Sequence, residues 1–450
     1  MKLGTLPGFG NTLLLMHANA AQNWAASLVF LHVKRASRIL DRHLSIKSQS
    51  VALHIRGQSS IMHGMWRRLA QARLRALWRL FPAVLILGAR QVGKTTLARQ
   101  TFPTLPYCDL EEPHLRALFT DDPTFQIQQR ALPSLIIDEA QAVPGVFNSL
   151  RGIIDEHRKK NGRFLLLGSA QPSLVRQVSE SLAGRVGILE LDPLTATEAA
   201  TGDRARDWQQ VWLHGGFPDA LRRSFREWWE AYLRTYLERD LPQLGVPADP
   251  ILLRRLITMV AHIQGGMLNA SQLGNSLDVS YHTVQRYLSV LEQTFIIRRL
   301  LPYYRNIGKR LTKSPKIYLR DTGLLHHLLN INSLEELDRH PMRGASWETF
   351  VMEDVIRREK LRNPHTQFYY WRTATGAELD LLLDRGSQRI GIEIKAGRGD
   401  KTGTARAAEQ IADDAGASSV WILDQAAGTE ALRPSVRRRS FAESQKWLPD

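Results

Sequence analysis

The sequence predicts a multidomain α/β protein built on a mainly parallel sheet with helices on both faces. Three observations carry this. Short apolar runs recur at 83–87, 134–137, 164–167 and 186–191, separated by helical stretches, which is the pattern of strands buried on both sides. The first run leads straight into a loop framed by two glycines. Downstream the period changes twice, becoming helical over 200–300 and alternating beyond 344.

In order, the expected elements begin with a helix over 66–80, whose apolar positions are Leu69, Leu74, Leu77 and Leu80 among many arginines. The strand at 83–87 follows, then the glycine loop and a helix over 95–100. The next apolar run ends in Asp138-Glu139, the third in Gly168-Ser169. Residues 200–265 read as helical and carry Trp208, Trp212, Trp228 and Trp229. Residues 268–300 have a helix-turn-helix pattern, with Ser280 as an N-cap. After a boundary at 338–344 come an amphipathic helix over 347–358 and period-2 strands joined by a turn at Asp384-Arg385-Gly386.

Composition narrows the class. Of 450 residues, 43% are apolar and 23% charged, as in globular domains. No run reaches the roughly 18–20 apolar residues of a membrane span. The single cysteine, Cys108, excludes an intramolecular disulfide and a cysteine zinc cluster, so a cytoplasmic setting with no membrane partner is expected. The net charge of +16 favours a polyanionic partner.

The loop Gly88-Ala89-Arg90-Gln91-Val92-Gly93-Lys94-Thr95, with Thr96 behind it, fits G-x-x-x-x-G-K-[ST] after a strand and before a helix. Such a loop turns backbone N–H groups and a helix N-terminus toward phosphate. Lys94 is placed for the β- and γ-phosphates of ATP and Thr95 for Mg²⁺. Asp138 is expected to hold the Mg²⁺ shell and Glu139 to orient or deprotonate the attacking water. Ser169 is expected as a γ-phosphate sensor, and Arg185 as a positive charge on the transferring phosphoryl group, from its own subunit or from a neighbour in a homo-oligomer.

Here a resemblance enters. Gly88 to Thr96, Asp138-Glu139-Ala140-Gln141, Ser169, Ser181 to Arg185, Gly215-Gly216-Phe217-Pro218, Glu238-Arg239-Asp240 and Asp321-Thr322-Gly323-Leu324 together resemble the prokaryotic AAA-type ATPases that carry a C-terminal domain of unknown function. The resemblance covers roughly 65–425. It implies a P-loop AAA-like parallel sheet domain (65–200) and a C-terminal α/β restriction-endonuclease-like domain (338–450); the helical pattern between them reads as a helical lid plus winged helix (201–337).

The first sixty residues fall outside this pattern. Their apolar run at 12–16 and Ala18-Asn19-Ala20 have the shape of a signal peptide, but only Lys2 precedes them and an exported chain meets no ATP. The expected reading of 1–64 is a non-native or disordered extension, with translation starting at Met62 or Met65.

Two further constellations bear on DNA. From 286 to 320 there are nine basic residues, Arg286, Arg298, Arg299, Arg305, Lys309, Arg310, Lys313, Lys316 and Arg320, against one acidic residue, Glu292. Phe295, Tyr303 and Tyr304 lie among them. This imbalance suits phosphate contacts beside a recognition helix. In the C-terminal part, period 2 puts Glu378 and Asp380 on one strand face and Glu393 and Lys395 on another. Glu348 lies at the edge of the preceding helix's apolar face. Convergence of Glu348, Asp380 and Glu393 gives a hard oxygen site for Mg²⁺ served by Lys395, similar to the PD-(D/E)xK nucleases. The expected function is ATP hydrolysis coupled to cutting or remodelling DNA. The alternative is a non-cleaving ATP switch whose C-terminal domain holds DNA or a protein.

Overall fold

The structure, a computed structural model, describes residues 66–131, 133–169, 172–202, 205–243, 249–304, 314–373, 376–397 and 401–444. The expected extension at 1–64 and the starts at Met62 or Met65 lie outside the described residues.

β1 (Ala83–Gly88), β2 (Tyr107–Asp109), β3 (Leu135–Asp138), β4 (Phe164–Ser169) and β5 (Val186–Glu190) form a sheet in the order β2-β3-β4-β1-β5. Every pairing is parallel. Val84 and Ile86 pack with Ile136, Leu165 and Leu167 on one face, under Leu74 and Leu77 of the helix Ala70–Leu80. Ala83, Leu85 and Leu87 pack on the other face, under Val146, Phe147 and Leu150 of the helix Gly145–Glu156. Burial on both faces is why the strands read as unbroken apolar runs. The first helix starts later than its pattern suggests, and Leu69 and Leu80 are 41% and 63% exposed. Trp66 ties down the preceding segment instead, its indole N–H donating to the Ala199 carbonyl at 3.1 Å.

The tryptophans of the helical region separate into two clusters. Trp228 and Trp229, on the helix Phe225–Thr235, pack around Phe217 and Tyr232. Trp208 and Trp212, on the helix Trp208–His214, pack against Trp347 of the C-terminal part. A π-helical turn, Tyr236–Asp240, follows the first of these helices. Two glycine motifs far apart in sequence meet: the Asp321 carboxylate accepts from the N–H groups of Gly216 and Gly323, each at 2.9 Å. A Cβ on Gly215 would lie 1.8 Å from that carboxylate, so these motifs are a close-packed joint.

The helices Ala270–Leu277 and Tyr281–Gln293 form the helix-turn-helix. Ser280 caps the second, accepting from the Thr283 N–H at 3.1 Å, and Val284, Tyr287, Leu288 and Leu291 are its buried face. An antiparallel pair follows, β6 (Ile297–Pro302) with β7 (Lys316–Leu319). That pair does not stand alone, because β6 also runs parallel to β8 (Gln367–Arg372) through Leu301 and Pro302. With β9 (Glu378–Asp384), β10 (Arg389–Ile394), β11 (Ser419–Asp424), β12 (Thr429–Ala431) and β13 (Val436–Ser440) it makes one sheet, ordered β12-β13-β11-β10-β9-β8-β6-β7. The helix Arg343–Arg362 packs Trp347, Phe350 and Val351 with Ile390, Ile392 and Ile394 of that sheet. Among the described residues, no helix is long and apolar enough to cross a membrane.

Candidate functional site

The sheet order puts the carboxyl ends of β3, β4 and β1 side by side, so Asp138, Ser169 and the loop after Gly88 share one edge. Gly93 and Gly88 serve different needs. Gly93 has φ +98° just before the helix Lys94–Thr101, a conformation that favours glycine. At Gly88 a Cβ would sit 2.4 Å from the Leu191 carbonyl oxygen, so close strand packing excludes a side chain. Gln91 and Glu139 are left-handed without being glycine, with φ 61° and 49°. Strain of this kind collects at functional sites.

Lys94 is buried, and its Nζ donates to the Gly88 and Ala89 carbonyls at 3.2 and 3.1 Å. Burial pushes its ammonium below the ordinary value, against the pull of Glu139 and Asp138. The Thr95 hydroxyl donates to Asp138 Oδ2 at 2.6 Å, bringing together the hydroxyl and the carboxylate expected to share Mg²⁺. The Glu139 side chain accepts from Gln141, and the Ser169 hydroxyl donates to it at 3.4 Å. Burial raises the Glu139 pKa, with Lys94 opposing, which moves a carboxylate toward the range of an effective general base. Glycine loop, ammonium, hydroxyl–carboxylate pair and poised glutamate fit Mg²⁺ and a nucleotide. Ala89 and Val92 pack inward, so what they can offer phosphate is backbone N–H.

Several participants were not foreseen. The Tyr107 hydroxyl donates to Asp138 Oδ2 at 2.8 Å. Arg68 donates to the Val92 carbonyl at 3.0 Å and pairs with Glu198 at 3.2 Å, bracing the loop from behind. Arg90 turns to the π-helical turn, pairing with Asp240 at 2.6 Å and with Glu111 at 3.7 Å. Arg90 was expected as part of the phosphate loop and Asp240 had a sequence signal in Glu238-Arg239-Asp240, whereas the pairing between them was not foreseen.

Arg185 corrects an expectation. Its carbonyl accepts from the Ala83 N–H at 3.2 Å, at the entry of β1, and its guanidinium pairs with Asp155 at 2.8 Å. Five residues of strand, about 16 Å, separate that end from the phosphate loop. Arg185 therefore cannot reach the nucleotide of its own chain.

The C-terminal carboxylates do gather. Ile394 N–H donates to Asp380 Oδ2 at 2.7 Å, and Glu393 pairs with Lys395. Burial, then Glu348, then Glu393 raise the Asp380 pKa well above the carboxylate range. The Tyr318 hydroxyl donates to Glu348 Oε1 at 2.6 Å. Lys316 is the unforeseen member: its Nζ pairs with Glu378 and lies 3.6 Å from Glu348 Oε1. Among the described residues, no three His, Cys, Asp or Glu side chains are arranged to hold a metal ion. These carboxylates thus lie near one another with a lysine among them, and not, among the described residues, as a metal shell.

The basic stretch is a second correction. Arg298 pairs with buried Glu353, Arg299 with Glu292, and Arg320 with Asp192 at 2.5 Å. With Lys316 these four face internal partners and are not an open phosphate-binding surface. Arg286 is exposed on the second helix. Arg305, Lys309, Arg310 and Lys313 lie outside the described residues.

Three stretches of the chain match known families. Residues 80–200 match the AAA domain family. Residues 205–335 and 343–431 match two domains of unknown function, DUF8612 and DUF4143. The uncharacterized protein Rv2008c of Mycobacterium tuberculosis is 45% identical over 336 residues, covering 73% of this chain and 74% of the relative. Mb2031c of Mycobacterium bovis gives the same values, 45% over 336 residues. Among solved structures, a Walker-type ATPase of Pyrococcus abyssi aligns with TM-score 0.42 and 15% identity, over 59% of this chain and 96% of its own.

Proposed function

Because the chain belongs to the family of these two mycobacterial proteins and carries an AAA domain, we propose that it is a Mg²⁺-dependent ATPase whose hydrolytic cycle acts on DNA. The observation that carries the ATPase reading is the Thr95–Asp138 contact, with Lys94 and Glu139 beside it. Bound Mg²⁺ would supply charge neutralisation on the phosphates. Thr95 and Asp138 would hold it, Lys94 would turn from its own carbonyls to phosphate oxygen, and Glu139 would take the proton of the attacking water. Steady-state phosphate release tests this: wild type needs Mg²⁺, and Thr95→Ala loses most of its turnover. Wild-type release that is indifferent to Mg²⁺ contradicts it.

The DNA part rests on the exposed face of the helix Tyr281–Gln293, with Tyr281, His282 and Arg286 at the surface, and on the antiparallel pair behind it as a wing. The C-terminal cluster is read as a nuclease-like divalent-ion site formed by Glu348, Asp380 and Glu393 with Lys395. The second reading, a non-cleaving switch, is favoured by the internal pairing of Arg298, Arg299, Lys316 and Arg320. Cleavage of DNA with Mn²⁺, lost in Asp380→Ala, selects the first; DNA binding without cleavage selects the second.

A further inference from the structure

The carboxylate cluster holds a cation that belongs to the chain itself. Lys316 is 5% exposed. Its ammonium pairs with Glu378 and approaches Glu348. Two positions on, and on the same strand face, the Tyr318 hydroxyl donates to Glu348 at 2.6 Å. Glu378 and Glu348 are thus the carboxylate neighbours of this buried ammonium.

Glu348, Glu378, Asp380 and Glu393 gather around Lys316 and Lys395, with Arg372 at the exposed rim, 3.5 Å from Glu378. A second observation points to a ligand. Glu393 is 9% exposed, and among the described residues its Oε2 has no hydrogen-bond partner, which is costly for a buried polar oxygen unless something else occupies that side of the cluster.

We infer that Lys316 is a tethered cation that occupies the carboxylate site and must withdraw before a divalent ion can enter. The inference rests on the reading of Glu348, Asp380 and Glu393 as a divalent-ion site. Lys316 opens β7, the edge strand of the eight-stranded sheet. That strand leads into Arg320, which pairs with Asp192 just beyond β5 of the nucleotide sheet. The tether is therefore held from the nucleotide side, and its position can follow the state of that domain.

The test is a Mn²⁺ titration of the full chain without nucleotide, with free Mn²⁺ read by electron paramagnetic resonance. Lys316→Met binds Mn²⁺ at least about ten-fold more tightly than wild type, since a unit charge within a few ångströms of the ion is removed. The gain disappears when Asp380→Asn is added. Equal affinity in wild type and Lys316→Met, both abolished by Asp380→Asn, overturns the tether and leaves the metal site standing. Mn²⁺ binding that ignores Asp380→Asn, or is absent from every form, overturns the metal site and the tether with it. Should Lys316→Met not fold, the wild-type chain gives the answer through amine labelling. Lys316 is protected without the ion and labelled at saturating Mn²⁺; equal protection in both conditions refutes the inference.

Discussion

At the scale of single residues, the nucleotide site divides into groups placed by local sequence and groups brought by the fold. Gly88 shows that a motif residue can be required for packing as well as for phosphate. Its missing Cβ makes room for the Leu191 carbonyl, so Gly88→Ala is expected to cost about 1–3 kcal/mol in urea unfolding, whether or not nucleotide is present. Lys94, Thr95, Asp138 and Glu139 were legible because each sits at a fixed distance from a strand end. Tyr107 and Arg68 were not. Tyr107 reaches Asp138 only because β2 pairs with β3, and Arg68 reaches Val92 from before the first described helix. Neither contact leaves a periodic trace. Arg185 lies away from its own chain's phosphate loop for a related reason: a short motif fixes an arginine's neighbours in sequence but not the end of the sheet on which it falls.

At the scale of elements, the strands of the first sheet were readable as unbroken apolar runs, and the helix-turn-helix from Ser280 and its buried face. Ser280→Ala is expected to cost about 1 kcal/mol, measured by thermal unfolding. The basic stretch was readable only as a count. Its partners Glu353, Glu378 and Asp192 lie far along the chain from Arg298, Lys316 and Arg320, and a local tally of charge cannot see them. The consequence is a contrast between two charge reversals. Arg298→Glu leaves Glu353 facing a second buried carboxylate, costs on the order of 3–5 kcal/mol, and shows as a lower unfolding midpoint. Arg286→Glu, on an exposed position, keeps the midpoint and weakens DNA binding in a filter or fluorescence assay. Unchanged DNA affinity in a folded Arg286→Glu chain counts against the recognition-helix reading.

At the scale of the whole molecule, the nucleotide sheet, the strand pair and the C-terminal helix meet in one buried charge network. Glu353 pairs with Arg298, with Arg320 at 3.5 Å and with Arg357 at 3.7 Å, and Arg320 continues to Asp192. Burial alone would raise the Glu353 carboxyl, but these arginines outweigh it and hold its pKa at about 2, against an ordinary 4.5. The unfolded carboxyl takes up its proton at the higher pH. The stabilisation is therefore complete above about 4.5 and is lost as pH falls toward about 2, a change of about 3 kcal/mol. Unfolding midpoints followed across that window fall steeply for wild type, while Glu353→Gln, less stable at the high end, shows a shallower slope and meets wild type at the low end. Through this network a change at the nucleotide edge has a continuous physical path to the strand that carries Lys316. The central expectation for the molecule is that its phosphate loop turns ATP over. The direct measurement pairs nucleotide affinity with phosphate release in Glu139→Gln. The predicted result is affinity close to wild type with release about 10²–10⁴-fold slower, the contribution of a general base. Phosphate release at the wild-type rate would contradict the assignment of Glu139 and with it the hydrolytic site.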